Sequence, residues 1–294
     1  MKLLKKLALG TALAVSMGAA QAQSQSQDVL NGWVFNPIGG GFDSGQEINE
    51  YLDVNGNAFI NLNPTGPNSF TFTEHAVFNI KQADSNGQDF DDNYAGGNIS
   101  AIFEATGTGT FGGSFAFTGG TIRMYQNATN QYGGTEGIYG ADLGNLIASF
   151  NVLARGGGMV DGNGDPTDNG QVSVFAQADA GSLAPGYFFR ANGDDLSEEA
   201  ILSFAFTNAN TIGNPTARLV EEVACQFAGF TGTGCPSNGD AYANVPGDYF
   251  FISSNGQFKL SEVDAEVPEP GSLALFGIAM LGAGVVARKR ARKA

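Results

Sequence analysis

Apolar and polar positions alternate through much of the chain. From 69 to 81 Phe70, Phe72, Ala76, Phe78 and Ile80 fall on one face, and Thr71, Thr73, His75, Asn79 and Lys81 on the other. A period of two is the mark of a half-buried β-strand. Glu74 is the exception, a carboxyl on the apolar face. The same alternation predicts strands over 99–105, 113–118, 121–126, 171–178 and 257–263. Continuous apolar runs over 146–154, 187–191 and 248–253 predict more deeply buried ones. The pairs Asn55-Gly56, Gly96-Gly97, Gly119-Gly120, Gly133-Gly134 and Asn255-Gly256 read as turns.

Helix signals are few. Asp195 with Glu198 resembles a capping box and predicts a helical start to 196–202 before it becomes strand. The stretch 217–227 carries Val220, Ala224 and Phe227 at helical spacing and predicts a short helix. Many short strands joined by glycine-rich turns predict an all-β fold. The expected architecture is an antiparallel β-sandwich, jelly-roll-like, with one or two short helices, rather than a barrel.

The two ends follow other rules. Lys2, Lys5 and Lys6 precede an apolar run over 7–17, and Ala20-Gln21-Ala22 follows. This is a secretory signal peptide, with Ala20 and Ala22 forming the cleavage site for signal peptidase and Gln23 as the first mature residue. At the other end Pro268-Glu269-Pro270 leads into an apolar stretch over 271–287, closed by Arg288, Lys289 and Arg290. As a helix that stretch would run about 25 Å, just short of the ~30 Å hydrocarbon core. A transmembrane helix is expected there. The basic cluster would stay in the cytoplasm and everything before Pro268 would lie outside. The expected organisation is a signal peptide (1–22), an extracytoplasmic β domain (23–267) and a C-terminal segment (268–294).

Removing both ends sharpens the charge. Three of the 14 basic residues belong to the signal and five to the tail, while only Glu269 of the 29 acids lies outside the domain. Six bases then face 28 acids, a net charge near −22. Such a surface repels nucleic acid and anionic lipid, so neither is an expected partner. The 43 glycines and 23 phenylalanines, with only 15% charged residues, describe apolar strands and tight turns rather than a disordered chain.

Candidate chemistry is sparse. Cys225 and Cys235, in an exported chain, predict a disulfide worth up to about 3 kcal/mol. The lone histidine, His75, sits inside a strand pattern and reads as structural. Neither a G-x-S-x-G elbow nor a Walker A loop occurs, and the chain is expected not to be an enzyme. Asp161, Asn163 and Asp165 place oxygen donors at the first, third and fifth positions of a calcium loop. Pro166 and Val172 stand where an EF-hand has glycine and its bidentate glutamate, so the expectation is a looser calcium site on a β-loop, with a solvated turn as the alternative. A weaker acidic loop lies at 84–92.

The C-terminal triplet Pro268-Glu269-Pro270, the glycine-containing apolar stretch and the basic end together resemble the PEP-CTERM sorting signal. The resemblance implies a Gram-negative source and processing by the membrane protease exosortase. The product would be secreted or held at the cell surface after transient anchoring in the inner membrane. Gly113-Ser-Phe-Ala-Phe117, Gly120-Thr-Ile-Arg-Met-Tyr125, the stretch 142–150 and Gly193-Asp-Asp-Leu-Ser197 are similar in style to the flocculation-associated branch of these proteins. That branch implies association with exopolysaccharide and a role in biofilm or floc formation, and it brings no catalytic residues. The alternatives are a secreted glycosidase-like enzyme, needing two carboxyls about 5–9.5 Å apart, and a lectin-like carbohydrate-binding module.

Overall fold

A computed structural model describes residues 30, 32–83, 88–167 and 170–263. The signal peptide, the Pro268-Glu269-Pro270 triplet, the apolar stretch 271–287 and the basic end lie outside the described residues. Among the described residues no helix is long and apolar enough to cross a membrane. The described residues up to Glu262 belong to one compact unit.

Among the described residues there are twelve strands: β1 (Trp33–Phe35), β2 (Gln46–Ile48), β3 (Leu52–Pro64), β4 (Ser69–Ala83), β5 (Gln88–Asp89), β6 (Asn98–Thr110), β7 (Ser114–Asn127), β8 (Asn145–Met159), β9 (Gln171–Ala178), β10 (Phe188–Phe189), β11 (Ile201–Ile212) and β12 (Tyr249–Glu262). In the main sheet each long strand pairs antiparallel with the next long strand along the chain, and β12 then pairs back with β3. Eight strands therefore close into an up-and-down barrel, with β5 a two-residue addition to the end of β4.

The all-β, antiparallel expectation holds, but the sandwich gives way to a barrel. The reason lies in three glycine pairs. Asn55-Gly56 and Asn255-Gly256 sit in the middle of β3 and β12, and Gly119-Gly120 sits inside β7. Read as turns, they cut the chain into short strands suited to two stacked sheets. Read through, they leave strands of 12 to 15 residues, β9 excepted at 8. Long strands in meander order have no free edge once the last meets the first. The pair in β7 is a β-bulge, where the register to β8 shifts between Ala116 and Gly120. Gly120 takes φ 150°, and a Cβ there would lie 2.1 Å from the Glu104 carbonyl. Bulges of this kind sharpen the bend a small barrel requires.

The apolar face of each long strand turns inward. Phe70, Phe72, Phe103, Phe117, Phe150, Phe250 and Phe258 belong to one buried cluster that lines the barrel interior and continues into its plug. Three inward phenylalanines lie across glycines of the neighbouring strand: Phe70 opposite Gly109, Phe72 opposite Gly107 and Phe78 opposite Gly56. A ring laid over a glycine covers backbone that would otherwise be bare, and it occupies the space a Cβ would take.

The end that holds the last residues of β4 is plugged by the small sheet β10–β1–β2. Trp33, Phe35, Phe90 and Phe188 pack there, with the Phe35 and Phe188 centroids 5.0 Å apart. Arg190 clasps the plug, bonding to both Glu199 and Glu262. The run 187–191 contributes only two residues of strand. Asp195 caps a single 3-10 turn (Leu196–Glu198), its carboxylate accepting from the Ser197 amide at 2.9 Å, before β11 begins.

Helix packs on the outside of the wall. Thr216 accepts from the Leu219 amide at 3.2 Å and starts α1 (Ala217–Leu219), a cap typically worth about 1 kcal/mol. The helix continues with π geometry over Val220–Phe227, so its buried face is Leu219, Val220, Val223 and Ala224 rather than a regular α stripe. That face covers Phe59, Val77, Ile102 and Phe251, which point outward from the barrel. Cys225 and Cys235 form a disulfide, tying the end of this helix to the loop before β12.

Candidate functional site

The barrel's outer wall carries an ordered array of amides. Asn79 on β4 is directly opposite Asn55 on β3, Asn55 is opposite Asn255 on β12, Asn255 is opposite Asn208 on β11, and Asn208 is opposite Gln171 on β9. One cross-strand row thus holds five amide side chains. At about 4.8 Å per strand it extends some 19 Å. Asn55, Asn208, Asn255 and Gln171 are exposed, and Asn79 is half-buried. The next row continues the chemistry with Asn57, Ser253 and Asn210.

Strand geometry makes this row. Outward residues alternate with apolar ones that face in, so each Asn-Gly pair puts an amide on the surface and a glycine in the barrel. The amide of Asn255 donates to Oδ1 of Asn55, and Asn55 in turn donates to Asp53 at 3.5 Å. Each amide group can donate two hydrogen bonds and accept two, so these contacts leave most of the row's capacity unused.

Two adjoining grooves of about 450 and 660 Å³ run along the array and share Asn208 and Asn255. Aromatic side chains border them. Tyr132 reaches over from the loop before β8 and donates to the Val77 carbonyl at 3.3 Å. Its hydroxyl is pushed well above the ordinary tyrosine range, first by burial and then by the neighbouring Tyr139. Phe206, 52% exposed, stands beside Gln257 in the second groove, with Tyr51 also lining it. Among the described residues Asp53 is the one carboxyl lining either groove, and burial raises its pKa.

The residues singled out from the sequence lie elsewhere. His75 points outward from β4 beneath the helix, its ring 4.9 Å edge-on to Phe227. Its Nδ1 is buried without a hydrogen bond among the described residues, and burial lowers its pKa against the opposing pull of Glu104. Asp161, Asn163 and Asp165 form a loop at the barrel end opposite the plug. Asp161 Oδ1 accepts from the amides of Asn163 and Asp165 at 2.7 and 3.1 Å, and Thr211 donates to Asp165 at 3.2 Å. Among the described residues no group of three or more His, Cys, Asp or Glu gathers to hold a metal. Positions 84–87 of the second acidic loop lie outside them.

The amide row was hidden in the sequence by the turn reading of Asn55-Gly56 and Asn255-Gly256. The signal that could have found it is the recurrence of Asn at alternate positions: 55, 57, 61 and 63 in β3, and 208 and 210 in β11.

Residues 266–291 match the PEP-CTERM protein-sorting motif. The motif makes the chain an exosortase substrate, secreted or displayed at the cell surface after transient membrane anchoring. No curated protein and no solved structure matches it.

Proposed function

We propose that this exosortase-sorted barrel is a non-catalytic matrix protein that binds the exopolysaccharide of its producing cell through the amide row on its outer wall, and so contributes to biofilm or floc formation. The observation that carries the reading is the row Asn79–Asn55–Asn255–Asn208–Gln171. Sugar hydroxyls both donate and accept, and uncharged amides match them without a desolvated charge. A repeating array suits a repeating polymer, because each contact is weak and many act together. Phe206 offers a ring face for the apolar side of a sugar. The strongly acidic domain disfavours a polyanion, so the polymer is neutral or cationic.

A binding role is favoured over a glycosidase because neither groove brings two carboxyls together. The sorting motif takes the protein out of the cytoplasm, which is where this reading needs it to be.

The test is cosedimentation of the exported protein with exopolysaccharide purified from the producing cell. The triple variant Asn55→Ala, Asn208→Ala, Asn255→Ala changes only exposed side chains and should fold normally. The wild type is expected in the pellet and the variant in the supernatant. Equal pelleting of both, or none by the wild type, would sink the reading.

A further inference from the structure

The two grooves on the outer wall carry a single charge between them, and it is negative. Among the described residues that line them there is no lysine, arginine or histidine, and the one carboxyl is Asp53. Its Oδ2 accepts from the Asn55 side chain at 3.5 Å, and the Val54 amide also donates to it. Among the described residues no basic side chain pairs with it. Lys259, two residues beyond Gln257, instead lies over the Tyr51 ring, its Nζ 5.7 Å from the ring centre. A half-buried carboxylate left with amide donors alone is short of a countercharge.

The register sets this carboxylate against an aromatic platform. Asp53 on β3 is opposite Gln257 on β12, and Gln257 is opposite Phe206 on β11. Carboxylate and ring thus share one cross-strand row, two strands and about 10 Å apart. That row runs beside the amide row. Asp53, Gln257 and Phe206 each stand two residues from Asn55, Asn255 and Asn208 on the same face of the same strand, about 7 Å away. Phe204 packs against Phe206 edge to face, with centroids 5.4 Å apart, and is itself buried. The exposed ring is therefore steadied on one side and open on the other.

We propose that the polymer is built of amino sugars with free amino groups, and that Asp53 pairs with an ammonium of the chain whose sugar rings cross Phe206. The proposal rests on the exopolysaccharide reading and narrows it from a neutral or cationic polymer to a cationic one. An ammonium donates three hydrogen bonds, and a carboxylate accepts them with the help of charge. A neutral sugar leaves the charge of Asp53 uncompensated. A sugar acid is repelled by Asp53 and by the domain as a whole. An N-acetylated amine offers one N–H and no charge. Phe206 suits the same ligand twice, giving its face to the apolar side of a sugar and its ring electrons to an ammonium.

With 28 acids against six bases, the domain attracts any polycation over its whole surface, so the test has to separate the groove from that general pull. The experiment is calorimetric titration of the exported protein, as processed by its own cell, at pH 6 and about 0.15 M salt, where charges more than about 8 Å apart are largely screened. The probes are hexamers of glucosamine, N-acetylglucosamine and glucose of like linkage. The glucosamine hexamer should bind about tenfold more tightly than the other two, the worth of one charge-assisted hydrogen bond. Asp53→Asn should bring it down to their level and leave theirs unchanged. Phe206→Ala should weaken all three together. Asp43→Asn makes the same change of charge on the exposed 3-10 turn between β1 and β2 and should alter nothing. N-acetylation of the purified exopolysaccharide should lower the pelleting of wild type and not that of Asp53→Asn.

The proposal is overturned if no hexamer binds, if the three bind wild type equally, or if acetylation leaves wild-type pelleting unchanged. It is overturned too if Asp53→Asn keeps the preference for glucosamine, or if Asp43→Asn lowers it as much, which would leave only the attraction of an acidic surface. A wild type that pellets with exopolysaccharide but binds the three hexamers equally keeps the amide-row reading and loses this one; a wild type that does not pellet loses both.

Discussion

Glu74 and His75 are adjacent on β4 and point to opposite sides of the barrel wall, the carboxyl into the interior cavity and the imidazole outward beneath Phe227. Burial acts on both, in opposite senses, because it disfavours the charged form of each: it raises the carboxyl and lowers the imidazole.

The pH dependence of stability follows from that pair. Glu74 is raised from 4.5 to about 8, so its contribution is full below about pH 4.5 and is lost as the pH climbs to about 8. His75 lies below its ordinary 6.5, so its contribution is full above about 6.5 and is lost as the pH falls. Between pH 6.5 and 8 only the Glu74 contribution still changes, by about 2 kcal/mol at roughly 1.4 kcal/mol per pH unit. Denaturant unfolding of the wild type should show stability falling over that interval. Glu74→Gln should remove the fall, and a variant that kept it would show that another group causes it.

The Phe72–Gly107 pair should resist enlargement. A Cβ on Gly107 would lie 2.2 Å from the Phe72 ring and 2.4 Å from the Ala116 carbonyl. Gly107→Ala should cost about 1–3 kcal/mol, as overpacking commonly does. Thermal melting would register the cost, and an unchanged melting temperature would mean that the ring moves freely.

Loss of the disulfide should loosen the outer layer. Cys225 and Cys235 close a loop of ten residues' separation, worth about 2–3 kcal/mol in the chain-entropy picture. Replacing both with serine should lower the unfolding midpoint accordingly. Hydrogen exchange should rise first in Val220–Phe227 and the loop before β12.

The Arg190 clasp should matter modestly and depend on salt. Its partners Glu199 and Glu262 are more than a third exposed, so with solvent screening Arg190→Met should cost about 1–2 kcal/mol. Glu262 is held below its ordinary 4.5, chiefly by the hydrogen bond from Arg190. The clasp therefore contributes above about pH 4.5 and is lost as the pH falls further. Unfolding at pH 7 and pH 3 should show a large gap between wild type and variant at the first and a small one at the second.

Much of the fold is legible in the chain's own pattern. The alternation over 69–81 appears as β4, the stretch 171–178 is β9, and Cys225 joins Cys235. The misreading of the architecture has one cause. An Asn-Gly pair favours a tight turn when considered locally, but Gly56 lies under the ring of Phe78, and Gly256 has the Phe206 carbonyl 2.1 Å from where its Cβ would be. Those contacts come from strands distant in sequence, and they decide in favour of continued strand. With the turn reading went both the strand lengths that close the barrel and the amide row.

What the sequence by itself determined is whatever depends on local order: the period-two faces, the cysteine pair, and the sorting motif, which works as a linear string. What only the tertiary structure decided depends on which strands become neighbours. Closure of β12 onto β3 aligned five amides drawn from strands as far apart as residues 55 and 255, and it turned Glu74 from an irregularity in a pattern into a lone carboxyl facing a cavity. Alternation states which face a side chain takes; only the register of non-local pairing states what stands beside it.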